Sequence, residues 1–99
     1  MGKITRQIST GTGHKILVNI GDFVGSIEVF YDGQQVGSAV NGQPHSGKAR
    51  CEFQAEERGE AVRYECEAVF SMKITLNLFS NYNAYLTIRR NGDIIYSDQ

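Results

Sequence analysis

Residues 27–36 read IEVFYDGQQV, and residues 86–95 read LTIRRNGDII. In each stretch an alternating apolar run meets Asp-Gly or Asn-Gly, and a second such run follows. Asp, Asn and Gly tolerate the positive φ angles that a tight type I′ turn requires, so this is the strongest short-range signal of a β-hairpin. The two stretches therefore predict two hairpins of matching register with these residues opposite each other: Val29 and Val36, Ile88 and Ile95.

A third hairpin is predicted around Arg58-Gly59. With the turn placed there, Cys51 lies directly opposite Cys66, one face of the pair is apolar and the other face is charged, as in a half-buried antiparallel pair. On the charged face Glu52 lies opposite Glu65, a repulsion that costs stability unless Arg50 and Arg63 compensate diagonally. The Glu, Ala and Arg content of residues 52–69 also fits an amphipathic helix over part of this segment.

Three further segments alternate with a period of two: Lys3–Ser9, His14–Ile20 and Met72–Leu78. In the first, Arg6 shares a face with the isoleucines, which is typical of an edge strand. The predicted loops are residues 9–13, 41–47 and 80–83. About nine short strands at roughly ten-residue spacing predict an all-β fold, an antiparallel β-sandwich or squat barrel with little or no helix. Residues 1–99 are expected to form a single all-β domain.

Charge and hydropathy narrow the range of partners. The chain has 99 residues, with 10 Lys and Arg against 11 Asp and Glu and a formal net charge of −1. A balanced charge gives no basic surface for a phosphate backbone, so no nucleic-acid partner is expected. No apolar stretch reaches the length of a membrane span, so no membrane partner is expected. The first residues carry charges and lack the apolar core of a signal peptide, so we expect a cytoplasmic location.

The two cysteines allow three readings: a cross-strand disulfide, half of a metal site, or two buried thiols that act as small hydrophobic residues. The buried thiols are favoured, because the pair falls at a hydrogen-bonded position where the Cα atoms stand farther apart, and because no export signal is visible. Two cysteines cannot complete a structural zinc site, and neither His14 nor His45 has ligand spacing to them. No metal and no cofactor are therefore expected.

Loop aromatics beside amides supply the candidate binding residues. Aromatic faces next to amide groups suit sugar rings or a protein partner, since they offer area and hydrogen bonds at low entropic cost. Loops also carry function more often than strands do. The predicted binding residues are Asn81, Tyr82 and Asn83, together with Tyr31 beside the first hairpin turn and His45 in the irregular loop 41–47.

No catalytic constellation can be assembled from these residues, so no catalytic residue is predicted. The sequence favours a non-catalytic binding module that recognises a protein or a carbohydrate through loops and one sheet face, by analogy with other small sandwiches. The alternative is a structural subunit that associates through strand edges, which leaves a homo-oligomer open. A third reading is a small hydrolytic enzyme, which would need His14 or His45 to meet a nucleophile.

Overall fold

In a computed structural model, the chain forms two four-stranded antiparallel sheets that pack together. The structure describes residues 3–21, 25–40, 46–74 and 80–98. The strands of the first sheet are Lys3–Ser9 (β1), Lys15–Gly21 (β2), Ser26–Tyr31 (β3) and Gln34–Val40 (β4). Those of the second sheet are Ser46–Glu57 (β5), Glu60–Ile74 (β6), Ser80–Arg90 (β7) and Asp93–Ser97 (β8). The predicted all-β sandwich is confirmed, and the described ranges contain no helix.

Each sheet is a simple meander, in the order β1-β2-β3-β4 and β5-β6-β7-β8. Because successive strands run in opposite directions, the turns β1–β2 and β3–β4 lie at one end of the first sheet. The turns β5–β6 and β7–β8 lie at one end of the second. A hydrogen bond of 2.7 Å from Thr12 Oγ1 to Glu57 Oε1 joins the β1–β2 turn to the end of β5. All four turns therefore lie together, at what we call the hairpin end.

The core lies between the sheets and is built from the alternate residues that the period-two pattern predicts to face inward. Ile16, Val18 and Ile20 of β2 are fully buried, and so are Tyr64 and Cys66 of β6. Burying a side chain of the size of Val or Ile contributes about 1.5–3 kcal/mol each. This burial fixes which face of each strand looks inward, because a shift of one residue would turn every apolar side chain outward.

The predicted hairpin around Arg58-Gly59 is confirmed, and the helical alternative for residues 52–69 is wrong. Cys51 pairs with Cys66 and Glu52 with Glu65. Arg50 relieves the carboxylate repulsion, since its guanidinium contacts Glu52 and its Nε donates to Glu65 Oε2 at 3.0 Å. Both cysteines are free and buried.

The two quoted hairpins have the predicted turns but not the predicted register. Asp32 and Asn91 have φ of 50° and 51°, and the glycine after each also has positive φ, as a type I′ turn requires. A β-bulge lies beside each turn. The strand register shifts between Val29 and Phe30 in the first hairpin and between Ile88 and Arg89 in the second. A bulge inserts one extra residue in one strand. The observed partners are therefore Val29 and Gly37, Ile88 and Tyr96, in place of Val36 and Ile95.

The described residues form eight strands where about nine were expected, because two predicted elements merge into longer ones. Met72–Ile74 continue β6 and do not start a separate strand, and Ser80–Asn83 begin β7 where a loop was predicted. Pairing between β6 and β7 extends to Ile74 opposite Ser80. A long partner strand thus overrides the low strand propensity of the asparagines, which is context-dependent. The rest of the predicted Met72–Leu78 strand and residues 41–45 of the predicted loop lie outside the described residues.

Candidate ligand-binding face

The solvent-facing side of the first sheet carries a shallow concavity of about 400 Å³. We call it the outer groove. Its lining comes from the first three strands and the β3–β4 turn: Gln7, Lys15, Leu17, Asn19, Phe30, Asp32 and Gly33.

The floor of the outer groove is apolar because two outward positions carry large hydrophobic side chains. Leu17 lies between buried core residues of β2, and Phe30 follows buried Val29 in β3, so both project to the opposite face from the core. Cross-strand pairing places Gln7 opposite Leu17 and Leu17 opposite Phe30. Gln7, Leu17 and Phe30 thus form one continuous row across the sheet. The amide of Gln7 lies at one end of the row, and Leu17 and Phe30 form an apolar strip next to it.

Amide groups border this strip. Asn19 stands two residues beyond Leu17 on the same face, and its Oδ1 accepts a 3.0 Å hydrogen bond from Thr5 Oγ1. The side-chain NH₂ of Asn19 makes no hydrogen bond to another described residue. It therefore remains a donor available to a ligand, next to the amide of Gln7.

Asp32 closes the groove at the hairpin end and is held firmly. Its Oδ1 accepts the backbone N–H of Lys15 at 2.9 Å, and its own N–H donates to the Lys15 carbonyl at 2.8 Å. Its Oδ2 lies 2.7 Å from His14 Nδ1, which must donate because a carboxylate only accepts. These bonds, first from the Lys15 backbone and then from His14, lower the pKa of Asp32.

Behind this end lies a fully buried carboxylate, Glu57. It accepts hydrogen bonds from Thr12 Oγ1 at 2.7 Å and Tyr31 OH at 2.5 Å, and also from Tyr64 OH. Arg90 donates to it at 3.0 and 3.3 Å. Burial alone would raise the pKa of Glu57, but these hydrogen bonds outweigh burial and hold the pKa at about 2. We call these five residues the Glu57 network.

The Glu57 network supports the outer groove through two ring contacts. Tyr31 stacks on His14 with ring centroids 5.1 Å apart, and His14 in turn holds Asp32. On its other side Tyr31 packs against Tyr64 of the second sheet at 5.8 Å. A carboxylate of one sheet thus fixes the turns of the other, which holds the polar end of the groove in a single geometry.

Two of the predicted binding positions, Tyr31 and residues 81–83, lie at different places in the fold. Tyr31 lies at the hairpin end, where its hydroxyl is bound to Glu57 and its ring is half-buried. Residues 81–83 belong to the far part of β7, where Asn83 pairs with Ser71. Asn83 lies seven positions before Arg90, which is at the hairpin end, and this spacing corresponds to roughly 24 Å along an extended strand. The side chains of Asn81, Tyr82 and Asn83 lie outside the described residues, and so does all of His45.

The groove residues were not among the predicted binding residues, although a signal for them exists in the sequence. Leu17 and Phe30 interrupt the alternation of apolar and polar residues on their strands, so they put apolar side chains on a face that is otherwise polar. A single apolar side chain on such a face is ordinary. It indicates a binding surface only when a neighbouring strand places a second apolar side chain beside it. That placement depends on strand order, which the sequence pattern does not give.

His14 has the partner that a general base needs, a carboxylate that orients its ring. No hydroxyl or thiol among the described residues hydrogen-bonds to its other ring nitrogen. Within the described ranges, no group of three or more His, Cys, Asp or Glu side chains is arranged to hold a metal ion. The same ranges contain no helix of the length and apolar character needed to cross a membrane.

Comparison of the chain with protein-family models, with curated proteins and with solved structures found no match.

Proposed function

We propose that this chain is a non-catalytic binding module that recognises a carbohydrate in the outer groove. The observation that supports it best is the apolar strip of Leu17 and Phe30 on a solvent-facing sheet, bordered by the amides of Gln7 and Asn19. A sugar ring presents an apolar C–H face and a rim of hydroxyl groups. Aromatic and aliphatic side chains cover the first, and amides exchange hydrogen bonds with the second.

The size of the outer groove favours a small ligand over a protein. Small-molecule sites usually enclose about 300–1,000 Å³, and the groove at about 400 Å³ falls in this range. A stable protein interface typically buries about 800 Å² on each partner. The strip of two apolar side chains supplies only a small part of such an area. Recognition of a protein through this face is therefore less favoured than recognition of a carbohydrate.

Replacement of Phe30 by Ala is expected to weaken saccharide binding at least tenfold, because the ring supplies most of the apolar contact area. Binding would be screened on a panel of oligosaccharides, and the affinity for the best ligand then measured by calorimetry. Ile94→Ala is the matched control, since Ile94 is an exposed apolar residue outside the groove. If no saccharide binds, or if Phe30→Ala binds like the wild type, the proposal is wrong.

A second function, a structural subunit that assembles through a strand edge, is favoured by β8. This strand is at the edge of the second sheet, and its Ile94 and Ile95 are 60% and 40% exposed. An edge strand with exposed apolar side chains is a template for pairing with another chain.

Assembly through β8 predicts a discrete oligomer that Ile94→Lys converts to a monomer, since a charge on the edge opposes strand pairing. Light scattering coupled to size-exclusion chromatography measures both masses. The control Val40→Lys places the same charge on an exposed residue of the first sheet and should leave the mass unchanged. A wild-type monomer at every concentration would remove this second function.

A cytoplasmic location is part of the proposal. Two free, buried thiols directly opposite each other fit a reducing compartment, where cysteines persist unbridged.

A further inference from the structure

Cys51 and Cys66 face each other across the β5–β6 ladder, and both side chains point into the core. Directly opposed residues in an antiparallel pair have Cα atoms about 4.5–5.5 Å apart. Disulfides span Cα separations of about 4.4–6.8 Å. Strand pairing alone therefore brings the two cysteines within bridging range.

The two thiols differ in access. Cys66 is fully buried on a central strand, whereas Cys51 is 8% exposed on β5, at the edge of the second sheet. A Cβ atom placed on Gly37 would lie 2.7 Å from Cys51 Sγ. The sulfur of Cys51 therefore faces the backbone of β4 across the seam between the sheets. Local separation of this seam exposes Cys51 first.

We propose that Cys51 and Cys66 form a reversible disulfide site, closed by a low-molecular-weight disulfide through thiol–disulfide exchange. The Cys51 thiolate attacks one sulfur of glutathione disulfide, which forms a mixed disulfide and releases one glutathione thiolate. The Cys66 thiolate then attacks the Cys51 sulfur and releases the second. The cysteine pair loses two protons and two electrons, and one glutathione disulfide becomes two glutathione thiols.

The bridge is expected to be slow to form and easy to reduce. Burial raises the pKa of both thiols, that of Cys66 to about 12, so little thiolate is present at neutral pH and exchange accelerates as the pH rises. Counted from the two-residue turn at Arg58-Gly59, the pair occupies a hydrogen-bonded position. The Cβ atoms of a hydrogen-bonded pair stand farther apart than the roughly 3.5–4.5 Å found in most disulfides, which strains the bridge, and strained disulfides have more oxidising potentials.

The test places the native protein in glutathione buffers of graded redox ratio and reads the products by intact mass after acid quenching. The wild type is expected to lose two hydrogens with no added glutathione. Cys66→Ser is expected to stop at one glutathione adduct, because the second thiol is absent. Cys51→Ser is expected to remain reduced far longer, because Cys66 is fully buried.

Two results would overturn the proposal. In the first, the wild type stays reduced in pure glutathione disulfide at pH 8.5 or stops at a glutathione adduct. In the second, the bridged protein has lost its strand signal in circular dichroism, which would show that the native ladder does not accommodate the bridge.

Discussion

Glu57→Gln is expected to lower the free energy of unfolding by about 3 kcal/mol, because it removes the negative charge to which Arg90 and the two tyrosine hydroxyls of the Glu57 network donate hydrogen bonds. Removing one partner of a buried ion pair typically costs about 3–5 kcal/mol. The lower end applies here, since the Arg90 side chain is 31% exposed and stays partly hydrated. Urea denaturation followed by circular dichroism measures the loss.

The matched control is Glu56→Gln, which makes the same chemical change one residue away on the exposed face of β5. It should alter the free energy of unfolding by less than about 0.5 kcal/mol. Equal effects of Glu57→Gln and Glu56→Gln would contradict the assignment of Glu57 as the charge that joins the two sheets.

The same carboxylate predicts a pH dependence of stability. Its folded-state pKa of about 2 lies below the ordinary 4.5, so the unfolded chain binds the proton more tightly. The stabilisation is complete above pH 4.5 and is lost as the pH falls toward 2. The difference in stability between wild type and Glu57→Gln should therefore shrink over that interval. The pKa of Asp98 is also lowered, but its contribution is common to both proteins and cancels.

Gly37→Ala is expected to destabilise the wild type by about 1–3 kcal/mol, as overpacking of a well-packed core does. The new Cβ would lie 2.7 Å from Cys51 Sγ, so the sulfur or the strands on either side of the seam must shift. Gly37 does not have a positive φ, so the cost comes from close approach and not from backbone strain. Urea denaturation again measures the change.

A double-mutant cycle supplies the control. In a Cys51→Ala background the sulfur is absent, and the nearest remaining atom, the Cβ of residue 51, is 3.7 Å away. Gly37→Ala should then be neutral or stabilising, because alanine restricts the unfolded chain more than glycine does. A loss of equal size in both backgrounds would mean that the cost does not come from contact with the Cys51 sulfur.

The turns could be predicted from the residues that form them. The strand register beside two of these turns could not, because it depends on pairing between strands. Asp-Gly and Asn-Gly specify positive φ at two successive residues, and both turns formed as expected. The bulges were not predicted, because a two-residue turn with regular pairing puts Val29 opposite Val36, whereas the extra residue makes Gly37 the partner of Val29. The register around Cys51 and Cys66 was predictable because no bulge interrupts that hairpin.

The candidate site was less predictable than the fold. Tyr31 stood out in the sequence as a loop aromatic, yet its position is explained by Glu57, 26 residues away along the chain. Leu17 and Phe30 each interrupt the alternation of apolar and polar residues on one strand, but neither strand by itself indicates a binding surface. They form a strip only because β2 and β3 are neighbours.

Binding of a saccharide in the outer groove is tested most directly by NMR. Backbone amide shifts of the labelled protein would be followed while the best ligand from the oligosaccharide panel is added. The largest shifts are expected on Gln7, Leu17, Asn19 and Phe30, and the amides on the outer face of the second sheet are expected to be unchanged. Shifts centred on that second sheet, or none at all at saturating ligand, would contradict it.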